Sequence, residues 1–150
     1  MKNNLYITNE TKGKLPSLPL SSLKDEILGK DFSLSLAYIT PSQMKKINKT
    51  YRGKNKPTNI LSFLLEKKEG EILLCPSLIK KQTKIFDRNF RELLGYLVIH
   101  GMLHLKGMEH SSKMEDTETK YDQKYFYRNR LGNNSHQSSG GRVHQRRKKS

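Results

Sequence analysis

The chain has 150 residues, of which 33% are apolar, and this is enough for one domain with a hydrophobic core. Its 29 lysines and arginines outnumber 14 aspartates and glutamates, for a net charge of +15. A charge this high indicates a polyanionic partner, with nucleic acid first and an anionic membrane surface second. The sequence has no run of about 18 apolar residues, which excludes a transmembrane helix.

The N-terminus and the cysteine content both favour the cytoplasm. The first ten residues, MKNNLYITNE, lack the apolar core of a signal peptide. The single cysteine, Cys75, cannot form an internal disulfide, which agrees with a reducing compartment. We interpret Cys75 as a small core residue rather than a nucleophile.

The first third of the chain predicts a strand, a helix and a second strand. Residues 5–9 favour a short strand, and residues 17–29 carry leucine and isoleucine at helical spacing up to a glycine. Residues 32–39 alternate apolar and polar side chains, which is typical of a half-buried strand.

A cationic helix and loop follow. Thr40 predicts a helix cap, Pro41 occupies the first helical position and Gln43 completes a capping box. We expect this helix to end near Lys49. Six cations and no acid lie in the helix and the loop after it: Lys45, Lys46, Lys49, Arg52, Lys54 and Lys56.

The middle of the chain predicts a hairpin and then helices. Residues 60–65 and 71–75 favour two strands joined by a turn at 67–70. Pro76 opens a helical stretch that we expect to break near Asp87.

A long apolar helix over residues 89–106 and a final helix complete the domain. A capping-box signal at residues 112–115 starts the final helix, which should reach about Leu131. The order of elements predicts a single α/β domain of the α+β type over residues 1–131. We expect a mixed sheet of about four strands packed against helices, with the long helix at the centre.

Residues 132–150 predict a disordered basic tail, because they are rich in serine, glycine and asparagine and then in cations. The tail carries five of the positive charges and no negative charge, so the residues before it keep a net charge of +10. It is either an arm that contacts RNA or a solvated end.

Three histidines at the end of the long helix have metal-ligand spacing. His100 and His104 are four residues apart and therefore share one helix face. Gly107 can take the left-handed conformation that ends a helix, and this would bring His110 beside them. Three imidazoles leave a fourth position open for water, so the spacing predicts a catalytic site for one zinc ion per chain.

The residue after the first histidine argues against a peptidase. The histidine spacing matches the zinc-peptidase pattern HExxHxxGxxH, except that Gly101 replaces the glutamate that serves as general base. Phosphodiester hydrolysis fits better, because a cation or metal stabilises the negative charge of its transition state. Arg52 is the best candidate cation, since a guanidinium can hold two phosphate oxygens. The alternative, a surface arginine in a basic loop, stays open.

The segment HGMLHLKGMEH resembles the HGxLHLxGxxH signature of the YbeY family of metal-dependent endoribonucleases. YRGKNKPTNILSF and GEILLCPS resemble two further segments of that family, in the same order. The likeness covers residues 36–79 and 93–111. It implies a role in ribosomal RNA maturation, notably at the small-subunit 3′ end, and in ribosome quality control. It also implies the zinc ligands and an arginine that acts in catalysis and substrate binding, here His100, His104, His110 and Arg52.

The chain departs from the family pattern at three positions. Met108 and Glu109 stand where the family usually has tyrosine and aspartate. Glu109 keeps a carboxylate that can orient a ligand by a hydrogen bond, whereas Met108 loses an aromatic hydroxyl. Leu64 replaces a common proline, which predicts a less constrained strand end.

We therefore predict a cytoplasmic, zinc-dependent endoribonuclease that prefers single strands, with the ribosome or its proteins as further partners and no membrane. Arg52 would stabilise the transition state, and the six cations would follow the RNA backbone. Two alternatives stay open. One is a non-enzymatic, RNA-binding ribosome-assembly factor with a structural zinc. The other, less favoured, is a metallopeptidase.

Overall fold

The structure, a computed structural model, describes residues 4–126. No helix in this part of the chain is long and apolar enough to cross a membrane. The predicted tail over 132–150 lies outside the described residues. In chain order the elements are β1 (Leu5–Asn9), α1 (Leu20–Ile27), β2 (Ser33–Tyr38), α2 (Pro41–Arg52), β3 (Ile60–Glu66), β4 (Glu69–Leu74), α3 (Pro76–Lys81), α4 (Thr83–Phe86), α5 (Phe90–Leu105) and α6 (Ser112–Tyr125).

The four strands form one mixed sheet in the order β1-β2-β4-β3. β2 pairs in parallel with both β1 and β4, whereas β3 and β4 form an antiparallel hairpin. β1 and β3 are therefore the two edges of this sheet. The predicted α+β domain with a mixed four-stranded sheet is confirmed.

Helices cover both faces of the sheet. Side chains alternate along each strand, so in β2 Leu34 and Leu36 enter the larger core while Ala37 packs against a second cluster on the opposite face. α2 covers that second face through Met44, which packs with Cys75. Cys75 is fully buried, as its interpretation as a core residue requires, and burial raises the pKa of its thiol.

α5 is the central helix of the domain, as predicted. Asn89 caps it in a capping box with Glu92, and thirteen of its sixteen residues are buried. It packs against β3 and β4 on one side and against α1, α3 and α6 on others. A methyl group at Gly101 would lie 3.0 Å from Ile60 Cδ1, so glycine allows the close approach of α5 and β3.

α2 is longer than predicted, and this changes the setting of Arg52. The helix continues past Lys49 and ends at Arg52, because Gly53 takes the left-handed conformation with φ of 69°. The capping box at its start is as predicted. Arg52 therefore lies on the last turn of a helix rather than in a loop.

α6 starts from a different cap than the one predicted. Ser111 is the cap, and its hydroxyl accepts a hydrogen bond from the backbone N–H of Met114. The expected capping box between Ser112 and Glu115 is wrong, because the cap lies one residue earlier and the Met114 side chain three residues after it has no oxygen to complete a capping box. The helix ends at Tyr125, and residues 127–131, predicted to continue it, lie outside the described part.

Candidate metal centre

The structure brings the three predicted histidines together. One ligand nitrogen from each of His100, His104 and His110 lies within 4.8 Å of the others. The Nε2 atoms of His100 and His104 are 3.0 Å apart. The ring of His110 is centred 4.8 Å from that of His104 and 5.3 Å from that of His100. The cluster is therefore small enough for all three nitrogens to bind one ion.

A turn after α5 places the third histidine. Gly107 has φ of 103°, a conformation that side chains disfavour, and Met108 donates a backbone hydrogen bond to Leu103. His100 is buried, His104 is half-buried and His110 is exposed. The cluster thus reaches from the core to the surface, where a substrate can approach it.

A buried carboxylate orients His100. Glu118 on α6 is fully buried, and its Oε2 lies 2.5 Å from His100 Nδ1. The Tyr96 hydroxyl donates a hydrogen bond to its Oε1 at 3.0 Å. An ionised carboxylate only accepts hydrogen bonds, so this contact favours the His100 tautomer that has its proton on Nδ1 and its Nε2 lone pair toward the other histidines.

Glu118 was not predicted from the sequence, although the spacing of buried residues on α6 points to it. Met114, Glu118 and Asp122 recur every four residues and form the buried side of α6. Two acids on a buried helix face need partners in the core, and this points to a polar network. Glu109, predicted to orient a ligand, is exposed, and within residues 4–126 no hydrogen bond joins it to a histidine.

A second buried pair reinforces the same interface. Arg88 donates two hydrogen bonds to the carboxylate of Asp122, at 3.0 and 2.8 Å, with both side chains nearly inaccessible. The guanidinium also lies 4.5 Å from the centre of the Tyr96 ring. Burial raises the pKa of Asp122, and Arg88 opposes this rise. Arg88 therefore holds α6 against α5 next to Glu118.

The surroundings of His104 favour its neutral form. Burial, followed by the proximity of His100 and His110, lowers the pKa of His104 to about 4. Glu118 acts in the opposite direction but more weakly. His104 is thus neutral at physiological pH, which is the form that a metal ion binds.

Gly101 leaves no room for the glutamate of a zinc peptidase. A Cβ atom at this position would lie 3.0 Å from Ile60, 3.2 Å from Ile72 and 3.2 Å from the Ser62 hydroxyl. A side chain there would point into the sheet rather than toward the histidines. The local packing therefore argues against a peptidase base at this position.

The predicted cations lie together on and after α2. All six are exposed: Lys45, Lys46, Lys49, Arg52, Lys54 and Lys56.

Three of these cations line a pocket of about 280 Å³, and no histidine of the described residues lines it: Arg52, Lys54 and Lys56. Asn48 and Asn59 also line it; both are buried, and among the described residues their Oδ1 atoms accept no hydrogen bond. Asn48 donates from Nδ2 to the Lys56 carbonyl at 2.8 Å and so fixes the loop that carries the lysines.

Comparison with known proteins identifies the family to which the chain belongs. The sequence profile described as endoribonuclease YbeY matches residues 4–130, a range that contains the three histidines, Arg52 and Glu118. The chain belongs to the YbeY endoribonuclease family. The resemblance of its motifs to this family is therefore confirmed.

Relatives in the YbeY family match most of the chain. A Thermotoga neapolitana protein named endoribonuclease YbeY is 31% identical over 141 residues, covering 91% of this chain and 95% of its own length. One from Staphylococcus carnosus is 29% identical over 124 residues, covering 75% and 81%. A solution structure of a Thermotoga maritima protein, 29% identical, matches with a TM-score of 0.55 and covers 79% of this chain and 87% of that one. The prediction that the protein is a phosphodiester hydrolase is confirmed, because its YbeY relatives are named endoribonucleases.

Proposed function

We propose that the protein is a zinc-dependent endoribonuclease that cuts single-stranded ribosomal RNA. Its proposed roles are maturation of the small-subunit 3′ end and ribosome quality control in the cytoplasm. The observation that supports this most directly is the cluster of three histidines, with His100 oriented by Glu118, in a member of the YbeY family.

The donor set fits zinc. Three imidazole nitrogens within 4.8 Å of one another suit a tetrahedral ion with one open position. His100, His104 and His110 would hold the ion, and when bound it would supply Lewis acidity toward water and phosphate. Glu118 would keep His100 in the ligating tautomer, and the exposed side of His110 would leave room for the RNA strand.

Arg52 lines a pocket without a histidine of residues 4–126, so it is proposed to hold a phosphate of the bound strand and, where that strand reaches the histidines, to stabilise the charge that develops on the phosphoryl oxygens. Its guanidinium can hold two phosphate oxygens, and the helix end at Gly53 presents it at the surface beside Lys54 and Lys56. The lysines would neutralise the backbone on either side of the bound segment. A single strand suits this surface, since it can bend between the pocket and the histidines.

The ribosome is the proposed site of action because of family membership and charge. The net charge of +15 favours a large RNA over a small neutral substrate. Ribosome-associated proteins would then direct the enzyme to one position in the RNA.

Cleavage of a defined RNA tests the proposal. A ribosomal RNA fragment that ends in a single-stranded 3′ extension is given to the wild-type protein and to His104→Ala, each with and without a chelator. We expect the zinc-loaded wild type to cut the extension, and the variant and the chelated protein to bind but not cut. Equal cutting by wild type and variant would contradict the proposal.

The same experiment separates the enzyme from an assembly factor. Arg52, Lys54 and Lys56 line a pocket that contains no histidine of residues 4–126, so we expect RNA binding there to be independent of the metal centre. If the zinc-loaded wild type binds the fragment in a salt-sensitive way and never cuts it, the protein is an RNA-binding factor with a structural metal.

A further inference from the structure

The last turn of α2 presents an aromatic side chain to solvent. Tyr51 is 68% exposed, and it directly precedes Arg52. Its ring is centred 5.2 Å from the ring of Phe63 on β3, with the planes inclined at 58°. Phe63 is itself partly buried against the second core cluster. Tyr51 is therefore supported on one side by the core and open on the other.

The surroundings of Tyr51 are strongly cationic. Six cations and no acid lie between positions 45 and 56, and Lys49 and Arg52 are its closest charged neighbours in sequence. A dry protein interface would have to desolvate these charges, which costs free energy. A single strand of nucleic acid suits these surroundings better. Its phosphates bind cations, and its unpaired bases stack on aromatic side chains.

We propose that Tyr51, supported by Phe63, is a stacking platform for one unpaired base of RNA. The lysines of α2 and its loop hold the neighbouring phosphates. This site rests on the proposed function in that it assigns how the RNA substrate is bound. We call this binding site, formed by Tyr51 on Phe63, the Tyr51 platform.

The platform and the metal centre lie on opposite faces of the sheet. Phe63 and Ser62 are consecutive on β3, so their side chains point to opposite faces. Phe63 lies on the α2 face, whereas the Ser62 hydroxyl lies beside Gly101 of α5. The stacked base is therefore separated from the histidines by the edge strand β3. The Tyr51 platform binds a nucleotide next to the cleaved segment, and it contributes to substrate affinity rather than to bond breaking.

A single tryptophan can report on the platform, because the chain has none of its own. Tyr51→Trp is titrated with oligoadenylate and with inorganic polyphosphate, in chelator so that the RNA stays intact. We expect oligoadenylate to quench the fluorescence and polyphosphate, which has no bases, to leave it nearly unchanged. Tyr6→Trp is the matched control, since Tyr6 is 56% exposed on β1 at the other edge of the sheet. Its fluorescence should respond to neither.

Affinity measurements test the same site without a new fluorophore. Tyr51→Ala should weaken oligoadenylate binding roughly 5- to 100-fold, because stacking on an aromatic ring contributes this much per base. Tyr51→Phe keeps the ring and should bind like the wild type, and so should Tyr6→Ala. In the cleavage assay Tyr51→Ala should raise KM while kcat changes little.

The outcomes separate the platform from the nuclease activity. If the wild type cuts RNA and Tyr51→Ala binds and cuts it equally well, the platform is wrong and the function stands. If binding depends on Tyr51 but the zinc-loaded wild type never cuts, the platform stands and the nuclease assignment is wrong. A wild type that does not bind oligoadenylate, or a Tyr51→Ala variant that changes only the oligomeric state, would overturn the platform.

Discussion

His100 is held from two sides, so the orientation of its ring depends on Glu118 as well as on the other histidines. Its Nε2 faces the other histidines, while its Nδ1 meets the buried carboxylate of Glu118 at 2.5 Å. Tyr96 holds the other carboxylate oxygen. A ring fixed in this way loses little rotational freedom when it binds a metal ion.

Glu118→Gln is predicted to weaken zinc binding roughly 10-fold, because such orienting partners contribute 10- to 100-fold to metal affinity. The amide keeps the size of the side chain but loses the charge that holds the proton on Nδ1. Competition with a chromophoric chelator measures the affinity, and circular dichroism checks the fold.

Glu109→Gln is the matched control for this change. Glu109 is exposed on the loop that carries His110, so its replacement should leave zinc affinity unchanged. If Glu109→Gln weakens zinc binding and Glu118→Gln does not, the carboxylate that orients the ligands has been assigned to the wrong residue.

The metal-free protein is predicted to lose stability as the pH falls from about 6.5 to about 4. In the folded state His104 has a pKa of about 4, against 6.5 for an ordinary histidine, so between these values the unfolded chain binds more protons. Burial, followed by His100 and His110, disfavours the charged form of His104, whereas the Met108 backbone and Glu118 favour it. After allowance for solvent screening, the loss attributable to His104 is roughly 1–2 kcal/mol.

Thermal unfolding of the metal-free wild type and of His104→Gln at pH 7.5 and 5 measures this loss. The His104→Gln variant has no group that titrates at this position. Its melting temperature should therefore fall less than that of the wild type when the pH is lowered from 7.5 to 5. Equal falls in the two proteins would show that His104 does not carry the effect.

At the scale of elements, the close contact of α5 with β3 fixes where the histidines lie. Gly101→Ala is predicted to destabilise the fold by roughly 1–3 kcal/mol, because the added methyl group would lie 3.0 Å from Ile60 and 3.2 Å from Ile72. The higher helix propensity of alanine offsets up to about 1 kcal/mol of this.

Chemical denaturation measures the change, with Gly13→Ala as a control, since a methyl group there meets no atom of residues 4–126 within 4 Å. A Gly101→Ala variant as stable as the wild type would mean that β3 can move away from α5. The position would then not exclude a larger side chain.

The sequence was most informative where short-range signals decide the structure. The spacing of His100, His104 and Gly107 depends on one helix and one left-handed turn, and both are local. The capping box at Thr40 and the alternation in β2 are local for the same reason. These features could therefore be read without knowledge of the fold.

Long-range partners could not be read in this way. Glu118 is eighteen residues from His100, and only the packing of α6 on α5 brings them together. The sequence instead suggested Glu109, a carboxylate next to His110 along the chain. The cap of α6 was missed by one residue because Ser111 and Ser112 are both serines with acceptable neighbours.

At the scale of the whole molecule, charge dominates the expected binding of RNA. Six exposed cations follow one another on α2 and its loop. If all six contact phosphates of a single strand, the logarithm of the binding constant should fall by about 4 for each tenfold rise in salt. Binding would then be tight only at low to moderate ionic strength.

Lys49→Ala is predicted to make this salt dependence shallower by about 0.7, the value for one phosphate contact of a single strand. Lys12→Ala is the control, because Lys12 is exposed beyond β1, at the other edge of the sheet. Fluorescence anisotropy with a labelled single-stranded RNA at several salt concentrations measures both slopes. Equal slopes for Lys49→Ala and the wild type would place the RNA elsewhere.

One ion held by the three histidines is proposed to carry RNA hydrolysis. Its most direct test is to add zinc stepwise to metal-free protein while RNA cleavage is followed in the same sample. We predict that the cleavage rate rises in proportion to added zinc and levels off at one equivalent per chain, and that His104→Ala shows no rise. Cleavage that proceeds without zinc, or one bound zinc with no cleavage, would contradict a zinc-dependent nuclease.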